Sequence, residues 1–184
     1  MSAGKLFIIS GASGVGKGTV LKAVMEKRDD LRFSVSATTR PPRPGEEHGV
    51  HYYFISEDQF EEMIANDEFV EYDRHNAAIY GTPWGQLREK LADSNVILDI
   101  EPKGAEIVHG KRPDATLIFI MPPSMEELER RLRGRGDTPE DQIQIRLERA
   151  KWEMDQRFWY DYQVTNLDAD ACAEEILKII AQEA

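Results

Sequence analysis

A glycine-rich run near the amino terminus has the composition and spacing of a phosphate-binding loop. An apolar stretch at residues 6–10 leads into Gly11-Ala12-Ser13-Gly14-Val15-Gly16-Lys17, and a helical pattern covers residues 16–28. In this strand–loop–helix setting, glycines let successive backbone N–H groups point at phosphate oxygens, and the helix N-terminus adds partial positive charge. Lys17 then neutralises the β and γ phosphates of a nucleoside triphosphate. The alternative, a glycine-rich turn that binds no ligand, is disfavoured by the full match in the required context.

The loop departs from its commonest form at the position that contacts metal. Gly18 stands where Ser or Thr usually ligates Mg²⁺, and Thr19 follows it. Gly-Lys-Gly-Thr is familiar among nucleotide kinases, in which the metal is held mainly by phosphates and water. Asp99 ends the apolar run 96–98, at the sheet edge where ligands bind, and a carboxylate there can hold Mg²⁺ through water. An equal alternative makes Asp99 a helix N-cap before Pro102.

A second group of cations lies on a proline-stiffened segment. Arg40 and Arg43 are three residues apart, among Pro41, Pro42 and Pro44. Two guanidinium forks on rigid backbone suit a phosphate dianion, because each fork offers paired donors. Taken alone, arginines in a proline-rich loop are more often solvated surface residues.

Apolar stretches that alternate with helical patterns must position these residues. Strands are predicted at residues 6–10, 95–100, 115–121 and 162–165, and helices at 16–28, from 102, from 124, at 138–158 and at 171–181. Ser124 and Glu127 predict a capping box. On the long helix, the inner face is predicted to carry Ile143, Leu147, Ala150 and Met154. Buried strands that alternate with helices are typical of a parallel α/β sheet.

Residues 33–81 interrupt that alternation. They combine prolines, the aromatic residues of 52–54 and one short acidic helix at 56–66. This pattern indicates a small antiparallel or mixed β subdomain inserted after the first elements. On residue pattern alone, Glu71 would belong to an acidic surface helix.

The overall composition excludes several classes of function. The 184 residues carry 34 acidic and 23 basic side chains, a formal net charge of −11, which argues against a nucleic-acid partner. The single cysteine, Cys172, excludes an internal disulfide and a cysteine-based zinc site. With no signal-peptide pattern and no apolar run of about 18 residues, we expect one cytoplasmic domain without a membrane partner.

Several blocks together resemble guanylate kinases. The most specific is Ser36-Ala37-Thr38-Thr39-Arg40-Pro41-Pro42-Arg43-Pro44-Gly45-Glu46, followed by residues 49–54. Residues 69–71, 80–82, 98–100, 122–124 and 133–136 extend the match, so the resemblance runs from residue 6 to about residue 180. It implies the P-loop nucleoside-monophosphate kinase fold: a parallel five-stranded core sheet flanked by helices, a mixed-β GMP-binding insert and a helical lid. The implied boundaries are 1–35, 82–124 and 148–184 for the core, 36–81 for the insert and 125–147 for the lid.

The resemblance also implies a role for each matching residue. It places Arg40, Arg43, Tyr52 and Tyr80 on the GMP phosphate, Ser36, Glu71 and Thr82 around guanine, and Asp99 and Glu101 on the GMP side. It assigns ATP binding to residues 11–19, Arg135 and Asn166. It implies that the catalytic cations are Lys17, Arg40, Arg135 and Arg146. The implied reaction is phosphoryl transfer from Mg-ATP to GMP, and to dGMP, in purine nucleotide metabolism and GMP recycling, by a monomer or a homodimer.

Three departures from the family pattern leave alternatives open. The 74–79 loop lacks the usual glycine, Glu101 replaces an aspartate, and Leu167 stands where an aspartate normally follows Asn166. The altered 74–79 loop and Glu101 support one alternative, a kinase that uses another phosphorylated acceptor. A non-catalytic guanylate-kinase-like interaction module is the other, and the presence of Lys17, Arg40, Arg135 and Arg146 argues against it.

Overall fold

Two β-sheets and seven helices organise the residues that the structure, a computed structural model, describes: 4–75, 77–134 and 139–184. The elements of the first half are β1 (Leu6–Gly11), α1 (Lys17–Glu26), β2 (Leu31–Phe33), β3 (Ala37–Thr38), β4 (Tyr53–Phe54), α2 (Glu57–Ala65), β5 (Phe69–His75), β6 (Ala78–Pro83) and α3 (Trp84–Leu91). Those of the second half are β7 (Asn95–Asp99), α4 (Pro102–Lys111), β8 (Thr116–Met121), α5 (Met125–Arg133), α6 (Glu140–Asp155), β9 (Tyr162–Thr165) and α7 (Ala169–Glu183). Among the described residues, no helix is both long and apolar enough to cross a membrane.

The larger sheet has five strands in the order β2-β7-β1-β8-β9. β1 runs parallel to β8, with Phe7 opposite Thr116 and Gly11 opposite Ile120, and the pairs β8–β9 and β2–β7 are also parallel. The prediction of a parallel five-stranded sheet flanked by helices is therefore confirmed. Four strands coincide with predicted apolar stretches, whereas β2 has three residues, too few to show a periodic pattern.

Contacts group the chain into two units, which we describe separately. The phosphate-loop unit comprises the described residues of Phe7–Asp29, Asp99–Pro102 and Thr116–Ala184. Its strand β1 is buried along all six residues, and α1 packs against α7. Cys172 is buried on α7, where burial raises the pKa of its thiol to about 11. The loop that follows β1 is thus anchored on a rigid, apolar base.

The mixed-sheet unit comprises the described residues of Met1–Leu6, Asp30–Leu98 and Lys103–Ala115. Its own sheet has the order β4-β3-β6-β5, in which β3 and β4 are parallel and the other pairs antiparallel. Ala37, Phe60, Phe69 and Ile79 form its core, and the rings of Phe60 and Phe69 stack at 4.3 Å between centroids. This core fixes β5 and β6, the strands that carry Glu71, Tyr80 and Thr82, three of the predicted acceptor residues.

Two local predictions for the helices were wrong. Ser124 Oγ accepts from the Glu127 N–H at 3.1 Å, but the Glu127 carboxylate binds Arg130 and Arg131 rather than completing a capping box. On α6, Glu153 takes the buried place predicted for Met154, because polar partners hold its carboxylate inside. The helix itself ends at Asp155, and a 3₁₀ turn, Gln156–Trp159, covers the remaining predicted residues.

Candidate active site

The phosphate loop has the backbone shape that its glycines permit. Gly14 and Gly16 have φ values of +86° and +91°, a left-handed conformation that costs other residues about 1–2 kcal/mol. α1 begins directly afterwards at Lys17, so the helix N-terminus faces the loop. A cavity of about 390 Å³ lies over it, lined by residues 11–19 together with Glu101, Arg149 and Glu153. The structure therefore brings the whole predicted loop to one concave surface.

Lys17 forms an ion pair with Asp99 within the phosphate-loop unit. The two side chains are 20% and 29% exposed, so each retains some access to solvent. Asp99 ends β7, at the carboxyl edge of a parallel strand, as the sequence predicts. Its carboxylate oxygens are hard ligands of the type that Mg²⁺ prefers, and its partner Lys17 lines the cavity together with Thr19. The position and chemistry of these oxygens fit a divalent metal that is bound mainly by phosphates.

A buried carboxylate supports the loop from α6. The Ser13 N–H donates to Glu153 Oε2 at 2.6 Å, and Arg149 Nε donates to Glu153 Oε1 at 3.1 Å. Glu153 is 2% exposed, and this burial raises the pKa of its carboxyl group. Arg149 also forms an ion pair with Glu101. Burial opposes the charge on Arg149, but Glu101 and Glu153 outweigh it and raise the pKa of the guanidinium.

A second support comes from the end of β9. Asn166 Nδ2 donates to the Val15 carbonyl at 2.8 Å, and Asn166 is 4% exposed. Arg131 donates to the same carbonyl at 3.3 Å and to the Asn166 carbonyl at 3.1 Å. The amide nitrogen of Asn166 thus contacts the loop backbone, while its predicted contact with ATP stays a prediction. These donors satisfy the Val15 carbonyl, which helps to hold the backbone of the loop in place.

In the mixed-sheet unit, Arg40 is held by a carboxylate six residues along the chain. Arg40 donates to Glu46 Oε2 at 2.6 Å and to Oε1 at 2.8 Å, a two-pronged ion pair with side-chain exposures of 14% and 18%. The Arg43 N–H also donates to Glu46, at 2.8 Å. The hydrogen bonds from Arg40 and then from the Arg43 N–H lower the pKa of Glu46 to about 2, and Glu46 in turn raises the pKa of Arg40.

Aromatic rings surround the Arg40 guanidinium. It lies 5.0 Å from the ring centroid of Tyr52 and 5.6 Å from that of Phe54, within the range of cation–π attraction. The rings of Tyr52 and Tyr80 meet edge to face at 6.0 Å, and a hydrogen bond with Tyr80 further raises the pKa of Arg40. The structure therefore brings together three of the four predicted phosphate-binding residues. The fourth, Arg43, has an exposed side chain on the adjoining turn.

Glu71 and Thr82 form a buried polar pair on neighbouring strands. Thr82 Oγ1 donates to Glu71 Oε1 at 2.6 Å, and the two residues are opposite one another in the β5–β6 register. Glu71 is 8% exposed and Thr82 is fully buried. The expectation from residue pattern alone, an acidic surface helix, is therefore wrong: Glu71 lies in a strand and faces inward. Ser36 directly precedes β3, and its carbonyl accepts from the Tyr53 N–H at 2.9 Å.

The predicted catalytic arginines of the lid have different outcomes. Arg146 is half-buried on α6, one turn before Arg149. Arg135 lies outside the described residues, so its predicted role stays a prediction. The sequence pattern did not indicate Arg149, Glu153, Arg131 or Glu46. Arg149 and Glu153 could have been found from helical spacing, because positions 149 and 153 share one face of a helix with the predicted residue Arg146.

The parallel sheet, the loop and the separate cluster of arginine and tyrosines define the class: a P-loop protein with the nucleoside-monophosphate kinase fold. The family model "Guanylate kinase" matches residues 3–183. The chain belongs to the guanylate kinase family.

Named relatives agree with this assignment. The guanylate kinase of Prochlorococcus marinus is 45% identical over 177 residues, which cover 96% of each chain. That of Nostoc is 46% identical over 94% of this chain and 87% of its own. That of Thermus thermophilus is 45% identical over 98% of this chain and 82% of its own. The crystal structure of guanylate kinase from Anaplasma phagocytophilum matches with a TM-score of 0.80 and 32% identity, covering 99% of this chain and 87% of that one.

Proposed function

We propose that this protein transfers the γ-phosphoryl group of ATP to GMP, giving ADP and GDP. One observation carries the choice of acceptor: a single strand contributes to both halves of a nucleotide site. β6 supplies Tyr80 to the cluster around Arg40 and Thr82 to the buried pair with Glu71. Residues two apart on a strand point to the same face. Tyr80 with its neighbour Arg40, a cation for phosphate, and Thr82 with its neighbour Glu71, a carboxylate for a base, are therefore presented together.

Guanine is the base that suits a buried carboxylate. Its N1–H and N2 amino group lie side by side, so Glu71 can accept a hydrogen bond from each. Adenine lacks that pair of donors, so the hydrogen bonds from the base to the buried carboxylate would be lost, at a cost of about 1–3 kcal/mol or more. Thr82 orients Glu71 through its 2.6 Å hydrogen bond, which supports this role.

The chemistry needs positioning and charge neutralisation rather than a covalent intermediate. An oxygen of the GMP phosphate attacks the γ-phosphorus, the bond to the β–γ bridging oxygen breaks, and ADP leaves with that electron pair. Lys17 and the loop N–H groups bind the donor phosphates, and Arg40 with Tyr52 and Tyr80 binds the acceptor phosphate. Mg²⁺, when bound, neutralises the β and γ oxygens, and Asp99 is suited to hold it through water.

Several finer assignments belong to the same proposal. We assign Arg135 and Arg146 to the transferring phosphoryl group, and Ser36, Asp99 and Glu101 to the GMP side. We retain the division into a core, an insert at 36–81 and a lid at 125–147. Use of dGMP, a cytoplasmic location, a monomeric or homodimeric state and the absence of a nucleic-acid partner stay predictions.

The decisive experiment compares acceptors in an assay of ADP formation with Mg-ATP. We expect GMP to be used and AMP, UMP and sugar phosphates to be poor substrates. Glu71→Gln should lower kcat/KM for GMP by about 10–100-fold, because one charge-assisted acceptor is lost. Glu62→Gln is the matched control: it changes an exposed carboxylate on α2 and should have no effect.

Two outcomes would replace the proposal. A preference for another phosphorylated acceptor, with GMP inactive, would assign the Arg40 cluster to that acceptor. No ADP formation with any acceptor, from folded protein, would favour the non-catalytic interaction module.

A further inference from the structure

Arg149 lies at the edge of the phosphate-loop cavity between two carboxylates. Its Nε donates to Glu153, and a terminal guanidinium nitrogen pairs with Glu101. All three residues line the cavity together with the loop. The two partners differ in environment: the Glu153 side chain is 3% exposed, whereas that of Glu101 is 42% exposed.

This difference makes one partner permanent and the other exchangeable. Glu153 is also tied to the Ser13 N–H, so its carboxylate cannot leave without disturbing the loop. Glu101 can turn into water at little cost, since an exposed ion pair is worth only about 0–1 kcal/mol. A rigid guanidinium held through Nε keeps its terminal nitrogens free to change partners, because its five N–H donors form a fixed fork.

The charges at the cavity require such an exchange. At the cavity, Lys17 and Arg149 are opposed by Glu101 and Glu153, and Asp99 pairs with Lys17, so these five side chains sum to −1. A triphosphate brings several further negative charges into the same space. Its oxygens compete with Glu101 for the guanidinium, and they offer several acceptors within reach of one fork.

We propose that Arg149 binds the triphosphate of the donor nucleotide, exchanging Glu101 for phosphate oxygens while Glu153 holds its Nε. Arg149 is then a direct contact of the donor, and Glu153 is a positioning residue that links this guanidinium to the loop backbone. Besides its assignment to the GMP side, Glu101 also acts on the donor side, as the competing partner of Arg149. The inference rests on the proposed function, because it takes ATP as the ligand of the phosphate loop.

The test is ATP affinity, measured by isothermal titration calorimetry without GMP, for the wild-type protein and four variants. Arg149→Ala should weaken ATP binding by about 10–100-fold, the loss expected for a hydrogen bond to a charged group. Glu101→Gln should tighten it by about threefold or more, because the competing charge is gone. Lys151→Ala, an exposed cation on the same helix, is the control and should bind as wild type does. GMP affinity should be unchanged in Arg149→Ala and in Lys151→Ala.

The double variant Arg149→Ala/Glu101→Gln separates contact from charge balance, because it removes one charge of each sign. If Arg149 contacts phosphate, this variant stays weak. If Arg149 only neutralises Glu101, the double variant returns to wild-type affinity, which would overturn the inference. Weaker ATP binding by Glu101→Gln would overturn it as well.

A thermal melt of each variant shows whether it is folded. Should Arg149→Ala fail to fold, Arg149→Lys keeps the charge but cannot hold Glu153 and phosphate at once, and its ATP affinity should still fall. Wild-type affinity in that variant would contradict the inference. If the wild-type protein itself binds no ATP, the proposed function fails first, and that result is distinct from all of these.

Discussion

The phosphate loop and the Arg40 cluster both bind phosphate in our proposal, but they are built from different parts of the chain. The loop presents main-chain N–H groups, shaped by Gly14 and Gly16 and supported from behind by Glu153 and Asn166. The cluster presents side chains, with Arg40 held by Glu46 and surrounded by Tyr52 and Tyr80. One region depends on backbone conformation, and the other on the identity of a few side chains.

This difference determines which substitutions each region tolerates. Main-chain N–H groups keep their position through many side-chain substitutions, but not through a substitution that alters φ. A guanidinium group can still bind phosphate after a small backbone adjustment, but not after a substitution that removes its planar set of donors. Four predictions follow this contrast, from the largest expected effect to the smallest.

The largest effect is expected at Lys17, the one charged side chain within the loop. Lys17→Met keeps the length of the side chain but removes the charge that neutralises the donor phosphates, so kcat should fall by about 10²–10³-fold. Steady-state assays with saturating GMP measure it. Lys22→Ala, on an exposed face of the same helix, should leave kcat unchanged. A Lys17→Met protein with wild-type kcat would mean that the loop works through its backbone alone.

Arg40 tests whether the acceptor cluster needs the fork or only the charge. Arg40→Ala should lower kcat/KM for GMP by about 10²-fold, since two charge-assisted hydrogen bonds are lost. Arg40→Lys should recover only part of this loss, and KM for ATP should not change. Arg74→Ala, an exposed arginine paired with Glu61 in the same unit, is the control. Full recovery with lysine would show that charge suffices.

Two glycines with the same backbone conformation allow a matched test of stability. Gly14 and Gly45 have φ values of +86° and +85°, but a Cβ on Gly14 would lie 2.6 Å from Leu132, and one on Gly45 meets nothing within 4 Å. Gly45→Ala should therefore cost about 1–2 kcal/mol of unfolding free energy from φ alone. Gly14→Ala should cost about 1–3 kcal/mol more, from overpacking. Urea unfolding measures both, and equal losses would refute the packing argument.

The smallest effect is the pH dependence of the Arg40–Glu46 pair. The pKa of Glu46 is lowered from 4.5 to about 2, so its contribution to stability is fully present above pH 4.5 and is lost as pH falls toward 2. The Tm of wild type should exceed that of Glu46→Gln at pH 7, and the gap should narrow below pH 4.5. A gap that does not change down to pH 2 would show that the pair does not depend on the carboxylate charge.

The same contrast explains what the sequence could predict. A backbone-built site leaves its signature in consecutive residues, so the loop and its preceding strand were predicted from spacing alone. The Arg40 cluster joins residues 40, 46, 52 and 80, whose proximity depends on how β3, β4 and β6 pair, and only the resemblance indicated most of it. Glu46 was not predicted, because nothing in a local pattern shows that its carboxylate turns back onto Arg40.

Buried charged residues account for the remaining differences between the sequence-based predictions and the structure. Glu153 reads as a surface residue next to Met154, and its burial depends on a hydrogen bond to Ser13, 140 residues away in sequence. Glu71 likewise reads as part of an acidic helix until its pairing with Thr82 places it in a strand. A local pattern of hydrophobicity cannot show which distant residue will be the hydrogen-bond partner of a carboxylate.

The supports of the phosphate loop also have a consequence for synthesis of the chain. The loop lies near residue 15, yet the groups that hold its backbone are supplied by Glu153, Arg131 and Asn166, up to 151 residues later. A ribosome makes the loop first and its supports last. A nascent chain that stops before residue 166 therefore carries the complete glycine motif without the Asn166 support, and we expect it to bind nucleotide poorly. We therefore expect the earliest part of the site to be translated to be among the last to be organised.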